Sequence, residues 1–109
     1  MKSIQELAHA LGLDADDIRD LLQSFLEMTR QDIVEMRKAC ADGDYAGLKA
    51  KGHSIKGAAL NLSAEEIGAL ALQIERIAPE EDAAAIAEAV ERLAALLDQF
   101  EGFLREGEQ

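Results

Sequence analysis

Tryptophan is absent from the 109-residue sequence, aromatic residues make up only 4 %, and there is one proline and one cysteine. With so few rings to fill an interior, the core must be built from Leu, Ile, Ala and Val, as between packed helices. Strand signals are missing as well: there is no alternating run of β-branched residues and no hairpin dipeptide of the Asn-Gly type. The single cysteine, Cys40, excludes an intramolecular disulfide, and the start MKSIQELAHALG has no apolar core of signal-peptide length. No apolar run approaches the roughly 20 residues a membrane span requires. Positive charge is scarce: 11 basic residues against 22 acidic ones give a net charge of -11, a field that repels nucleic acid and anionic membrane surfaces. A soluble, cytoplasmic, monomeric protein with no nucleic-acid or membrane partner is expected. A chain of this length forms one domain, able to bury roughly two-thirds of the surface its unfolded form exposes.

What is present is helical periodicity. Ser3 can cap a short helix over about residues 3–11, with Ile4, Leu7, Ala8 and Leu11 on one face and Gly12 as its stop. Asp14 starts a long second helix, about 14–42, whose seam is Ile18, Leu22, Phe25, Thr29, Ile33, Met36 and Cys40. A third, about 44–62, carries Tyr45, Leu48, Gly52, Ile55, Ala59 and Leu62 at alternating spacings of three and four. Ser63-Ala64-Glu65-Glu66 matches a capping box and predicts a fourth helix over about 64–78, with Ile67, Leu70, Ala71, Ile74 and Ala78 inward. Pro79 fits the break after it. The last helix, about 80–105, presents Ile86, Val90, Leu93, Leu97, Phe100 and Leu104, and the tail Glu106-Gly107-Glu108-Gln109 is expected to fray. Short connections make neighbours antiparallel, so the fold class is all-α: an up-down four-helix bundle with a short N-terminal helix across one end.

On the third helix the seam fixes the direction of the core, and His53 lies roughly 140° from its centre on a helical wheel, pointing to solvent. Lys49 stands one turn before it, Lys56 and Gly57 one turn after, and Leu60 a turn further. An interior glycine costs about 1 kcal/mol against alanine, and at an exposed position no core packing asks for one. Gly57 therefore suggests clearance for another molecule beside the imidazole. Two cations flanking an imidazole in an acidic protein suit a doubly charged oxyanion such as phosphate, and Leu60 and Ala46 add apolar contact area. These features describe an open surface on which a docked partner could present a phosphoryl group.

The stretch His53-Ser54-Ile55-Lys56-Gly57, followed by Asn61-Leu62, Ala64 and Leu70 through Glu75, resembles the signature of the histidine-containing phosphotransfer (HPt) domain of phosphorelays. The resemblance implies that His53 is phosphorylated, that Lys56 helps to neutralise the phosphoryl oxygens, and that Gly57 leaves room for a receiver domain. Lys49 is a second phosphoryl-stabilising candidate, and Ala46, Leu60 and Asn61 are candidates for the docking surface. The implied partners are response-regulator receiver domains, including those of hybrid histidine kinases. The sequence has no nucleotide loop, so no cofactor and no kinase activity of its own are expected, and Mg²⁺ belongs to the receiver. Ser63 stands where the family commonly has glycine, a departure that capping would explain, and Gly52 where a small residue such as alanine often precedes the histidine.

Competing readings are weaker. A metal at His53 lacks ligands, since its i+3 and i+4 neighbours are lysine and glycine. His9 reads as solvated surface and Cys40 as a small core residue. The acidic runs Asp14-Ala15-Asp16-Asp17 and Glu80-Glu81-Asp82 suit helix starts rather than calcium. Two alternatives to a relay intermediate stand: a helical module that binds a receiver or other partner without being phosphorylated, and the phosphate-accepting module of a chemotaxis-type kinase. Gly47 and Gly68 have no explanation from the sequence.

Overall fold

A computed structural model describes residues 2–107. Five α-helices follow one another: α1 (Ile4–Leu11), α2 (Ala15–Asp42), α3 (Tyr45–Asn61), α4 (Glu65–Ile77) and α5 (Ala83–Gly107), with a 3-10 turn at Ala78–Glu80 and no strand among the described residues. The helix α2 packs on α3 and α5, and α4 closes the ring by packing on the same two helices, while α1 lies against α2. At about 1.5 Å per residue, the 28 residues of α2 match the molecule's 42 Å long axis. The all-α bundle is the architecture that the periodicity implied. The helix α5 continues through Gly107, so the frayed tail expected from Glu106 does not begin there. Glu108 and Gln109 lie outside the described residues.

The seam residues do close the core. Ile18, Leu22, Met36, Leu48, Ile74, Ile86, Leu93 and Leu97 are fully buried, each contributing about 1.5–3 kcal/mol by leaving water. The three phenylalanines gather at one end, with Phe25 edge-on to Phe100 at 5.5 Å and Phe100 6.4 Å from Phe103. Cys40 is half-buried, its sulfur 3.6 Å from the Ala83 carbonyl across the α2–α5 contact. On the outside, Arg37 forks onto the Glu91 carboxylate at 2.8 and 2.9 Å and Arg30 reaches Asp98 and Glu101, tying α2 to α5.

The helix ends explain several residues. Ser3 and Glu6 form a reciprocal capping box on α1, and Gly12 and Gly43 end α1 and α2 in the left-handed conformation, with φ of 68° and 71°. Asp44 caps α3 by accepting from the Gly47 amide at 2.9 Å, and a Cβ on Gly47 would collide with that carboxylate. Asp82 accepts from the Ala85 amide at 3.1 Å as α5 begins. Because Pro79 sits inside the 3-10 turn and Glu81 turns the chain with φ of 58°, α5 starts three residues later than expected.

One expected cap does not form. Ser63 adopts φ of 59°, Ala64 occupies the N-cap of α4, and no side chain caps that helix. The chain needs a left-handed residue to leave α3 and re-enter α4 within three positions, and a residue so used cannot aim its hydroxyl at the next helix's amides. The departure from glycine at Ser63 is thus not explained by capping; the backbone there is one that glycine adopts without strain. Ser63→Gly should raise stability by about 0.5–1 kcal/mol, the relief of left-handed strain exceeding glycine's added chain entropy. A higher urea midpoint at unchanged slope would register it.

Candidate functional site

The site is assembled where α3 and α4 come closest. Gly52 faces α4 so tightly that a Cβ on it would lie 2.8 Å from the Ala71 carbonyl oxygen and 2.9 Å from the Glu75 nitrogen. Further along, Leu60 lies over Gly68, where a Cβ would come within 3.1 Å of its methyl, which accounts for that glycine too. Absence of side chains at the contact lets the two backbones touch, and the residues flanking it are drawn together. The next residue after Gly52 is His53, and its neighbour on α4 is Glu75.

The imidazole is largely in water, with 69 % of its side chain exposed, yet it is not isolated. Its Nδ1 lies 2.8 Å from Glu75 Oε1, and Lys56 Nζ lies 3.0 Å from the other oxygen, Oε2. Glu75 is only 17 % exposed. The Lys56 ammonium, and after it the His53 hydrogen bond, hold its carboxyl below the usual carboxylate range against the opposing pull of burial. An ionised carboxylate only accepts, so the neutral imidazole carries its proton on Nδ1 and donates it to Glu75. The lone pair is then on Nε2, at the opposite corner of the ring. Lys56 Nζ is also 3.4 Å from Nδ1; since both atoms donate to one carboxylate, they are neighbours there rather than partners.

Lys49, Gly57, Ala46, Leu60 and Asn61 are all exposed. Leu60 is 56 % accessible, and around Gly57 a Cβ would meet nothing within 4 Å. The Lys49 side chain makes no hydrogen bond or ion pair among the described residues. Lys51, on the flank toward α2, is held by Glu35 and by Asp32 at 3.0 Å, which raises its pKa, Glu35 contributing most. His9 is exposed on α1, and no group of three or more potential metal ligands occurs among the described residues.

This arrangement can expose a neutral nitrogen nucleophile with its tautomer fixed from behind, beside cations, on a convex helical face. A family model described as the Hpt domain matches residues 20–103. The chain belongs to the Hpt domain family. The match begins within α2 and runs through most of α5, leaving α1 outside it. No curated protein and no solved structure matches the chain. Hpt domains are phosphocarriers, not kinases, and interact with receiver domains, and membership supports a phosphotransfer-type role in a phosphorelay for this chain. No described helix is long and apolar enough to cross a membrane.

Glu75 was not among the residues that the sequence singled out for the site. It lies 22 positions from His53, beside the apolar stripe of α4, where a glutamate reads as solvated edge. The signal that could have found it is the pairing of small residues. Gly52 on α3 and Gly68 and Ala71 on α4 imply a close crossing, and Glu75 continues the row of Gly68 and Ala71 at spacings of three and four.

Proposed function

We propose that His53 accepts a phosphoryl group on Nε2 from the aspartyl phosphate of a receiver domain and returns it to a second receiver. The observation that carries this reading is the hydrogen bond from Nδ1 to Glu75 on an imidazole otherwise open to water. In the neutral ring this bond takes the Nδ1 proton and leaves the lone pair on Nε2, as in-line attack on a docked acyl phosphate requires. Receiver domains, including those of hybrid kinases, are the partners in this reading, and Mg²⁺ belongs to their aspartate site. Ala46, Leu60 and Asn61 contribute docking surface, and the protein works as a cytoplasmic carrier.

The test is to charge a purified receiver with acetyl phosphate and mix it with this protein. An acid-labile, base-stable phosphate should appear on the wild type and be abolished by His53→Gln. Receiver binding without any labelling of the folded wild type would favour the alternative, a helical module that docks without being phosphorylated.

Clearance at Gly57 gives a separate expectation. Gly57→Gln adds a side chain into open space, so the fold is kept and helix propensity gains about 0.5 kcal/mol. Transfer from the receiver should nevertheless slow about tenfold or more, since each 1.4 kcal/mol of steric penalty in the docked complex is a factor of ten. Equal initial rates for the two proteins would remove clearance as the reason for this glycine.

A further inference from the structure

The two lysines flanking His53 are placed differently, and the difference assigns them separate tasks. Lys56 is drawn into the α3–α4 contact, with 24 % of its side chain exposed, and its ammonium sits on Glu75 at 3.0 Å and on the Nδ1 side of the ring. The phosphoryl group would be on Nε2, at the other corner. To reach it Lys56 would have to give up its 3.0 Å contact with a carboxylate that is itself only 17 % exposed, leaving Glu75 to the ring alone. Of the three lysines on α3, Lys51 is likewise committed, to Asp32 and Glu35. Lys49 alone has no carboxylate partner among the described residues. It is one helical turn before His53, where side chains at i and i+4 are about 5–6 Å apart at Cβ, and its flexible four-carbon stem can span that turn.

We infer that Lys49 is the cation that meets the phosphoryl oxygens on His53, and that Lys56 is a positioning residue which anchors Glu75 behind the ring. The inference rests on the phosphoacceptor reading above and departs from the role that the family resemblance gives Lys56. During transfer the Nε2–P bond forms as the acyl O–P bond breaks, and the receiver's aspartate carboxylate leaves with the bonding pair. The ring keeps its Nδ1 proton and becomes a phosphorylated imidazolium. Glu75 meets the new positive charge on the ring, and Lys49 meets the roughly two negative charges on the phosphoryl group. The charged groups in contact with the imidazole are Glu75 on α4 and Lys56 on α3, and Lys49 stands one turn before it on α3.

The experiment uses the full chain in a His9→Gln background, so that His53 is the one histidine. Phosphoramidate phosphorylates it without a receiver: its P–N bond breaks, ammonia leaves, and the Nε2–P bond forms. The ³¹P signal of the product is then followed against pH. A nearby cation favours the dianionic phosphoryl group, so Lys49→Met should move that titration to higher pH and Lys49→Arg should restore it. Lys56→Met should move it less, while changing the ¹⁵N signature of the His53 tautomer. Transfer from an acetyl-phosphate-charged receiver should slow about 3–10-fold in Lys49→Met, the scale of one solvent-exposed charge-assisted contact. A Lys49→Met protein whose phosphoryl group titrates as in the wild type, or a larger displacement in Lys56→Met, overturns the assignment. Failure of the receiver arm in the wild type, with phosphoramidate labelling intact, would overturn the phosphoacceptor reading while the ³¹P titration still decides between the lysines.

Discussion

Glu75→Gln should leave the bundle folded and slow phosphoryl acceptance by His53 about 10–100-fold, the range found when a metal-ligating imidazole loses its orienting partner. The substitution preserves shape and removes two things. A carboxylate can only accept, which dictates the proton on Nδ1; a carboxamide can accept through oxygen or donate through nitrogen, so the ring is free to take its proton on Nε2 and lose the outward lone pair. The negative charge that balances the imidazolium of the phosphorylated state is also lost, and Lys56 is left without its anion 3.0 Å away. Initial transfer rates from a charged receiver measure the first effect, and ¹⁵N shifts of His53 report the tautomer directly. Unchanged rate with unchanged tautomer would show that Glu75 does not orient the ring. The pH dependence has a defined sign. Since Lys56 chiefly, and His53 in addition, depress the Glu75 pKa in the folded protein, its contribution to stability is complete above the ordinary carboxylate range. It disappears as pH falls through the lower folded-state value. The stability difference between wild type and Glu75→Gln, read from urea midpoints, should therefore be present above the ordinary carboxylate range and narrow as pH falls below it.

The parts of this molecule legible in its sequence are those governed by one helix at a time. A stripe such as Ile18, Leu22, Phe25, Ile33 and Met36 is buried because spacings of three and four leave it no other common direction, and the same wheel puts His53 in water. What depends on two helices was harder to read. Within α4, Glu75 is marked only as the end of the family-like stretch Leu70 through Glu75, with no role attached; its meaning comes from Gly52 on α3, whose missing side chain sets how near the two backbones lie. Ser63 failed for a related reason. The pattern Ser-x-x-Glu is right for a cap, as Ser3 and Glu6 demonstrate, but at residue 63 the turn between helices claims the backbone first and holds it at φ of 59°. Gly47 and Gly68 became intelligible only once the Asp44 carboxylate and the Leu60 side chain were seen against them.

Gly52→Val is expected to destabilise the protein by about 3 kcal/mol, a large share of the roughly 5–15 kcal/mol that holds a typical domain folded. A Cβ at this position meets the Ala71 carbonyl oxygen at 2.8 Å, the Glu75 nitrogen at 2.9 Å and the Glu75 Cα at 3.3 Å. All three are main-chain atoms of α4, so no rotamer change can clear the way and the helices must part. Gly52→Ala is the milder member of the series: its Cβ meets the same three main-chain atoms, but alanine's helix propensity returns about 1 kcal/mol. Valine adds two methyl groups to the collision and regains less propensity, being β-branched. The consequence for function follows from the same geometry. His53 and Glu75 are 2.8 Å apart across this crossing, and a hydrogen bond does not survive as α3 and α4 separate. In Gly52→Ala, where the fold persists, phosphoryl acceptance should fall toward the Glu75→Gln level even though neither His53 nor Glu75 has been changed. Urea denaturation of both variants, with transfer rates and His53 ¹⁵N shifts for Gly52→Ala, tests the chain of cause. A Gly52→Val protein with the wild-type midpoint would mean that α3 and α4 do not meet backbone to backbone in solution, and the placement of Glu75 behind the imidazole would lose its foundation.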